Sequence, residues 1–403
     1  MKFKTSKLEI LFIFALFCEI LAMQIGLTTL PFTYSNTAFY TKLLRYSGYM
    51  LVSIKIFFTK FRYSEILLLI CITFLVGVNI PSSGRFFFLT FLFVYGMKGM
   101  NFEKISKIMC IWILSGIFFT ILLSQFGIIE NWSYDLATER SRYSLGYYYP
   151  SHATSVILYG ILLLCYVLKQ HLKLCHVFLL EFLNYLQYTK TDSRTGTALA
   201  AIAILCFYCL KFIKKEKTKI SFGILLSYAF IFSAIISISS TILYDPDVET
   251  WSQINSFVNG RVRLANSAVN TYGVSLLGKQ ITWIGNGGLG HIYDNLKETY
   301  NYVDCSYIKL LLEGGVLSFL LIIIGYTLAG RKAAKEGNIY LCMALAFIAI
   351  YSIIEPRLCE IGFNPFLLVL VILVDYRGIF LMNHQKKETM FRKKIQLCNV
   401  KNP

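Results

Sequence analysis

Apolar runs of roughly 20 residues recur along this chain, and a run of that length can cross a bilayer as a helix. Twelve segments fit the pattern, at 8–27, 38–57, 64–80, 85–99, 106–128, 151–168, 174–189, 195–213, 220–242, 304–328, 338–354 and 362–381. Lys42, Arg45 and Lys55 interrupt the second, and a Pro-Ser-Ser-Gly turn separates the third from the fourth. Only 15% of residues are charged and the mean hydropathy is +0.59, whereas soluble domains carry about 25% charged residues. A closed β-barrel needs alternating strands of about ten residues, and long apolar blocks stand in their place. The expected fold class is an all-α polytopic membrane protein. It has about twelve transmembrane helices in a single integral membrane domain.

The net charge is +17. In a soluble protein that excess would suggest a nucleic-acid partner, but its distribution points elsewhere. With a cytoplasmic N-terminus and alternating spans, the inner segments collect Lys2, Lys4 and Lys7; Lys55, Lys60 and Arg62; Lys98, Lys104 and Lys107; Lys169 and Lys173; the run from Lys211 to Lys219; and Arg331, Lys332 and Lys335. A basic tail over 382–403 completes the set. This is the positive-inside pattern, and anionic lipid headgroups are its partners. Both termini are expected in the cytoplasm, with no nucleic acid involved. Lys2, Lys4 and Lys7 precede an apolar run that has no small-residue cleavage site, so it reads as a first span rather than a cleaved leader. Most of the eleven Cys lie inside apolar spans, where a free thiol behaves as a small hydrophobe. Cys305 and Cys359 fall near the outer boundary, and nothing in their spacing pairs them. No CxxC, HExxH or other metal-ligand cluster occurs.

One stretch breaks the apolar pattern. Residues 243–303 form a largely polar outer loop between the ninth and tenth spans, with Trp251, Trp283 and several Tyr. Loops of this length are usually functional or disordered, and the aromatic content favours order. Within it, Asn259-Gly260-Arg261-Val262-Arg263 is a turn that aims Arg261 into the following segment; a plain contact with lipid headgroups is the alternative. Gly285–Gly290 (GNGGLG) matches GxGxxG, but no βαβ unit surrounds it, which excludes a dinucleotide site. These glycines lead to His291 and Asp294.

Three further places border the outer face. In TDSRTG, Asp192 or Ser193 is expected to cap a helix, with Arg194 in its first turn. A cation at a helix N-terminus is unfavourable unless an anion sits between the two, and Arg with free backbone N–H groups suits a phosphate or pyrophosphate. Before the sixth span, Arg140, Arg142, Tyr143, Tyr147, Tyr148, Tyr149 and His152 fit either an interfacial aromatic belt or a saccharide platform. Asp304 begins the tenth span, as an N-cap or as an outward carboxylate suited to a general base. Beyond it, Glu355-Pro356-Arg357 and Asn364-Pro365 bound a short outer hairpin. Glu19 and Glu181 lie inside spans, where acids usually face a bundle interior.

Together these motifs resemble the Wzy-type polymerases of O-antigen and capsule repeat units, within the wider O-antigen polymerase and ligase superfamily. The resemblance covers roughly Thr189 to Pro365. It rests on TDSRTG, NGRVRLANSAV, GNGGLG, VDCSYIKLLLEGG and the Glu355 to Asn364-Pro365 hairpin, with GYYYPSH similar to that family's Gly…His-Pro-Asn pattern. It implies a glycosyltransferase of a bacterial plasma membrane that polymerises polyprenyl-pyrophosphate-linked oligosaccharides outside the cytoplasm, without metal or nucleotide cofactor. By motif position, Arg194 and Arg261, with Arg263 beside them, hold the donor pyrophosphate. Arg142, Tyr148, His152 and Glu355 bind saccharide or acceptor. Sister ligases carry a His where this chain has Asp304, so the general base falls among Asp304, His291 and Asp294. A flippase and a chain-length regulator are the implied protein partners. The rival expectations are a lipid-linked oligosaccharide flippase, or a ligase that moves glycan to another acceptor. A transporter places its key polar groups near the midplane, whereas here they gather at one face.

Overall fold

Leu, Ile, Phe and Ala dominate the apolar runs, and such residues propagate a helix until Pro, Gly or a polar cluster stops it. The computed structural model describes residues 7–78, 86–136, 140–285 and 300–375. His291, Asp294 and the basic tail over 382–403 lie outside the described residues. Each of the twelve apolar segments carries a helix. In chain order these are α1 (Lys7–Gly26), a single turn α2 (Leu30–Thr33), α3 (Ser35–Phe57), α4 (Tyr63–Val78), α5 (Phe86–Gly96), α6 (Phe102–Gln125), α7 (Pro150–Leu168), α8 (Leu174–Thr191) and α9 (Arg194–Leu210). They continue with α10 (Glu216–Leu226) and α11 (Ala229–Ile242), two short helices α12 (Glu249–Phe257) and α13 (Arg261–Tyr272), then α14 (Ser306–Glu313), α15 (Gly315–Lys335), α16 (Ile339–Tyr351) and a 3-10 helix, Pro365–Leu373. Among the described residues the sheet is a two-stranded antiparallel hairpin, β1 (Ser133–Leu136) with β2 (Arg140–Tyr143), which pairs Ser133 with Tyr143.

Five described helices are long and apolar enough to cross a membrane: Lys7–Gly26, Phe102–Gln125, Pro150–His171, Glu216–Ile242 and Gly315–Lys335. The chain is therefore all-α and multi-pass in character. α16 and the 3-10 helix are buried on nearly every face, as expected of helices that are apolar all round. α8 instead turns Phe178, Leu179, Phe182 and Leu183 outward, and a face of this kind suits lipid.

Ion pairs align the helix ends. Lys104 meets Glu9 at 2.7 Å and Lys169 meets Glu103 at 2.8 Å. The starts of α1 and α6 thus lie with the end of α7, so α7 runs against the other two. At the opposite end, the Thr29 N–H donates to the Gly146 carbonyl (3.1 Å) and the Tyr148 N–H to that of Leu27 (2.9 Å). Two basic residues find partners inside the helix bundle. Lys55, counted among the inner cations, is wholly buried and donates to the Lys98 carbonyl, while Lys98 pairs with Glu65. Arg45, read as an interruption of the second span, faces Glu19 of α1 at 3.8 Å and so gives that acid a charged partner. Cys305 and Cys359 are both buried free thiols.

The long polar stretch after α11 is pinned to the break between α14 and α15. There the Lys279 N–H donates to the Leu312 carbonyl (2.9 Å), and the N–H groups of Val316 and Leu317 donate to Ser275 (3.0 Å) and Leu276 (3.2 Å). Backbone comes this close because Gly278 (φ +82) and Gly315 (φ +73) face each other, and a Cβ on Gly278 would run into the Glu313 carbonyl. This explains the Gly-Gly that ends the LLLEGG motif. Farther along, the Asn301 side chain accepts from the Ile284 N–H (2.6 Å) and donates to the Tyr272 hydroxyl (2.8 Å) and the Thr282 carbonyl (3.0 Å).

Gly278→Ala is expected to destabilise the protein by more than about 2 kcal/mol, from positive-φ strain plus the backbone clash. Gly337→Ala, at φ +75 with open space around it, should cost only the conformational part, about 1 kcal/mol. Thermal unfolding in detergent checks this; equal midpoints for the two variants would contradict the pinned loop.

Candidate functional site

The site is built from four interruptions in the helices, together with residues of β2 and the start of α7. At the first, Asp192 ends α8 in the left-handed region (φ 45), Ser193 is the N-cap of α9 without a side-chain cap bond, and Arg194 is the first helical residue. The first backbone N–H groups of a helix have no intrahelical acceptor. Arg194 stands beside those groups and is 59% exposed, with Asp192 at 3.6 Å as its carboxylate partner among the described residues. Arg142 braces this corner from β2: its Nε donates to the Thr191 carbonyl (2.8 Å) and its Nη2 to Ser193 Oγ (3.2 Å). Below, Thr154 Oγ1 donates to Gln187 Oε1 (3.0 Å), and Gln187 Nε2 donates to Thr197 Oγ1 (2.6 Å). Gly196 lets α9 press on α7, since a Cβ there would stand 2.6 Å from Thr154 Cγ2.

The second and third interruptions meet each other. Asn259 (φ 54) and Gly260 (φ +80) are both left-handed, and that turn starts α13 at Arg261. Arg261 Nε donates to Asp304 Oδ2 at 3.2 Å. Arg263 points away and is exposed, outside the cavity, because two residues along a helix is a large rotation about its axis. Asp304 is not the N-cap of α14. Cys305 holds that position, and the helix begins at Ser306. Ser306 fastens the start of α14 to the connection after α16: its N–H donates to the Ser352 carbonyl (2.9 Å), its hydroxyl donates to the Glu355 carbonyl, and it accepts from the Leu358 N–H (3.2 Å).

That connection holds the buried end of the site. Arg357 Nη1 donates to both carboxylate oxygens of Glu360, at 3.2 and 3.0 Å. Its Nη2 lies 2.6 Å from His152 Nε2, and its guanidinium sits over the Phe363 ring at 4.6 Å. A guanidinium only donates, so His152 Nε2 is the acceptor and its ring is neutral, with the proton on Nδ1. Glu355 Oε1 faces Arg357 Nε at 3.4 Å. Glu355 Oε2 accepts from Ser155 Oγ at 2.9 Å and from the Tyr351 hydroxyl at 3.4 Å. Burial pushes the Glu355 carboxyl up to about 7, against the pull of Arg357, and neighbouring Asp304 adds to the rise. Arg357 has no counterpart among the site residues read from the sequence. The signal was present in the same Glu-Pro-Arg tripeptide that singled out Glu355.

These groups line one cavity of about 600 Å³. Arg142, Tyr148, His152, Arg194, Arg261, Asp304 and Glu355 all reach it, together with Arg357. Tyr149, Trp283, Tyr300 and Tyr302 give it aromatic walls. Tyr148 stands edge-on to His152, with ring centres 4.4 Å apart. Trp283 is held by its Nε1 on Glu313. Among the described residues, no group of three His, Cys, Asp or Glu side chains is placed to hold a metal. Such a cavity can take an anion at the Arg194 helix start, a polar ring between aromatic faces, and a proton on a carboxylate.

Arg357→Met strands Glu355 and Glu360 beside each other. Removing one partner of a buried ion pair costs about 3–5 kcal/mol. The expected result is a lowered unfolding midpoint, with partial recovery in Arg357→Met/Glu360→Gln. An unchanged midpoint in the single variant would count against the cluster as a structural support.

The chain matches no protein-family model, no curated protein and no solved structure.

Proposed function

We propose that this protein is a membrane glycosyltransferase that joins polyprenyl-pyrophosphate-linked oligosaccharides into a polysaccharide at the outer face of a bacterial plasma membrane. The observation that carries the reading is convergence. Arg142, Tyr148, His152, Arg194, Arg261, Asp304 and Glu355 come from separate stretches that the sequence resemblance marked, and all reach one cavity. On this reading the twelve helical segments cross the membrane. The cavity opens at the end opposite the Lys104–Glu9 and Lys169–Glu103 pairs, which face the cytoplasm.

Arg194, with the free N–H groups of its helix start, takes the donor pyrophosphate. Arg261 adds a second cation once the incoming phosphate competes with Asp304 for it. Preorganised cations at a leaving group act through electrostatic stabilisation of the transition state. The acceptor hydroxyl attacks the anomeric carbon of the donor sugar, and the bond from that carbon to the pyrophosphate oxygen breaks. The lipid pyrophosphate leaves with the bonding pair. The rings of Tyr148, Tyr149, Tyr300 and Tyr302 hold the saccharides. Lipid tails run along outward apolar faces such as that of α8.

Purified protein in detergent, given a synthetic polyprenyl-pyrophosphate repeat unit, should yield a ladder of longer glycans. Arg194→Ala and Arg261→Ala should lower chain growth at least a hundredfold while the protein still folds and inserts. Arg261→Lys should also be impaired, since an ammonium does not reproduce the planar fork of donors. No ladder from folded wild-type protein would rule out the transferase and leave transport, which needs two compartments, as the activity to test in sealed vesicles.

A further inference from the structure

Three carboxylates line the cavity, and they differ in what surrounds them. Asp192 stands 27% exposed beside Arg194 at 3.6 Å, and Asp304 stands 29% exposed with Oδ2 hydrogen-bonded to Arg261 Nε at 3.2 Å. That charge-assisted bond already occupies one carboxylate oxygen of Asp304. Glu355 is more deeply buried. Its neighbouring guanidinium, Arg357, is committed to Glu360 through Nη1 and to His152 through Nη2, and Arg357 Nε makes no hydrogen bond among the described residues. The donors that Glu355 does have, Ser155 and Tyr351, are neutral hydroxyls, and both go to Oε2. Among the described residues Oε1 has the 3.4 Å ion pair to Arg357 Nε and no hydrogen-bond donor, and Glu355 itself lines the cavity.

We propose that Glu355, and not Asp304, is the general base that deprotonates the attacking acceptor hydroxyl. The assignment rests on the glycosyl-transfer reading above. In the step, the acceptor oxygen bonds to the anomeric carbon, and its proton passes to Glu355 Oε1. The anomeric carbon–oxygen bond to pyrophosphate breaks, and its electron pair leaves with the lipid pyrophosphate. Ser155 and Tyr351 fix the carboxyl group so that Oε1 presents a lone pair. Asp304 has the separate task of holding Arg261 in place until the donor arrives. Glu355 is then both shielded enough to prefer the proton and close enough to Arg357 to be ionised at the start of the step. The charged and titratable groups that face it are Arg357 on its own connection, Asp304 ahead of α14, Arg261 at the start of α13, Tyr351 on α16 and Tyr159 on α7.

A base must be deprotonated to act, so the wild-type rate should rise about tenfold per pH unit below about 7 and level off above it. The test is a single-turnover measurement with the synthetic polyprenyl-pyrophosphate repeat unit as both donor and acceptor, run from pH 5 to 9. Donor binding is measured in parallel at each pH. Glu355→Gln keeps the size and the acceptor for Ser155, and should lower the rate at least a hundredfold with binding within threefold of wild type and no pH dependence. Glu355→Asp should recover at least tenfold over Glu355→Gln. Asp304→Asn should keep the rising profile with its midpoint moved down, because the negative neighbour that raises the Glu355 carboxyl is gone. The proposal is overturned if Glu355→Gln stays within tenfold of wild type, if it loses donor binding along with rate, or if Asp304→Asn abolishes the profile. Wild-type protein that makes no product at any pH overturns glycosyl transfer itself, an outcome distinct from a failed Glu355 assignment in an active enzyme.

Discussion

A backbone group in hydrocarbon has no water to bond, so a break in a helix survives there only if protein satisfies it. The shape of this molecule follows from that constraint. Among the described residues, the breaks around the cavity are satisfied by other parts of the chain. The break between α14 and α15 is filled by residues 275–279 of the polar stretch after α11. The corner between α8 and α9 is filled by Arg142 on the Thr191 carbonyl. The connection after α16 is filled by Ser306 and by Asn364, whose side-chain amide donates to the Leu358 carbonyl and the Tyr326 hydroxyl. Satisfying the breaks with one another pulls them together, and the cavity is the space they enclose.

Charge inside that space is arranged in short-range pairs. Arg194 faces Asp192, Arg261 faces Asp304, and Arg357 faces Glu355 and Glu360. Buried or half-buried ions need such partners, because desolvation otherwise outweighs what they contribute. The pairs also grade in strength from rim to floor. At the rim Arg194 is exposed and loosely held, so an anion can take it. At the floor Arg357 is enclosed by two carboxylates, an imidazole and a ring, and it acts as a fixed post for the connection that carries Glu355. On the proposed reading, an exposed cationic rim over a fixed floor suits a reaction in which a charged leaving group departs outward.

Local pattern made some of this legible and left the rest hidden. Arg194 was readable because helix starts announce themselves within a few residues, and Arg261 because Asn-Gly is a turn in any context. Arg263 falls outside the cavity, because a paired Arg looks alike on both faces of a helix until the helix is docked. Asp304 stayed open between a cap and an outward carboxylate, since Asp before an apolar run has the capping preference; Cys305 takes the cap position and Arg261 claims the Asp304 side chain. Lys55 fitted the basic inner pattern, yet a wholly buried neighbourhood that includes the Lys98 carbonyl lies beyond any count of charges. Arg357 sat in plain view beside Glu355, and nothing local marks a residue whose partners are a His on another helix and a Glu three residues on.

The sequence by itself determined the helical class, the approximate places of the apolar helical segments, and the concentration of polar chemistry in the stretches between them; the break of the 304–328 segment at Gly314-Gly315 came only with the structure. Run length, punctuation and charge bias are short-range properties, and backbone hydrogen bonding in an apolar solvent leaves them one outcome. The tertiary structure alone decided which ionisable groups meet. Arg261 finds Asp304 across 43 residues, Ser155 finds Glu355 across 200, and His152 finds Arg357 across 205. Contacts at such separations depend on which helices pack together. That packing is set by features such as Gly196 against Thr154 and Gly278 against Gly315, where a missing Cβ lets two chains approach.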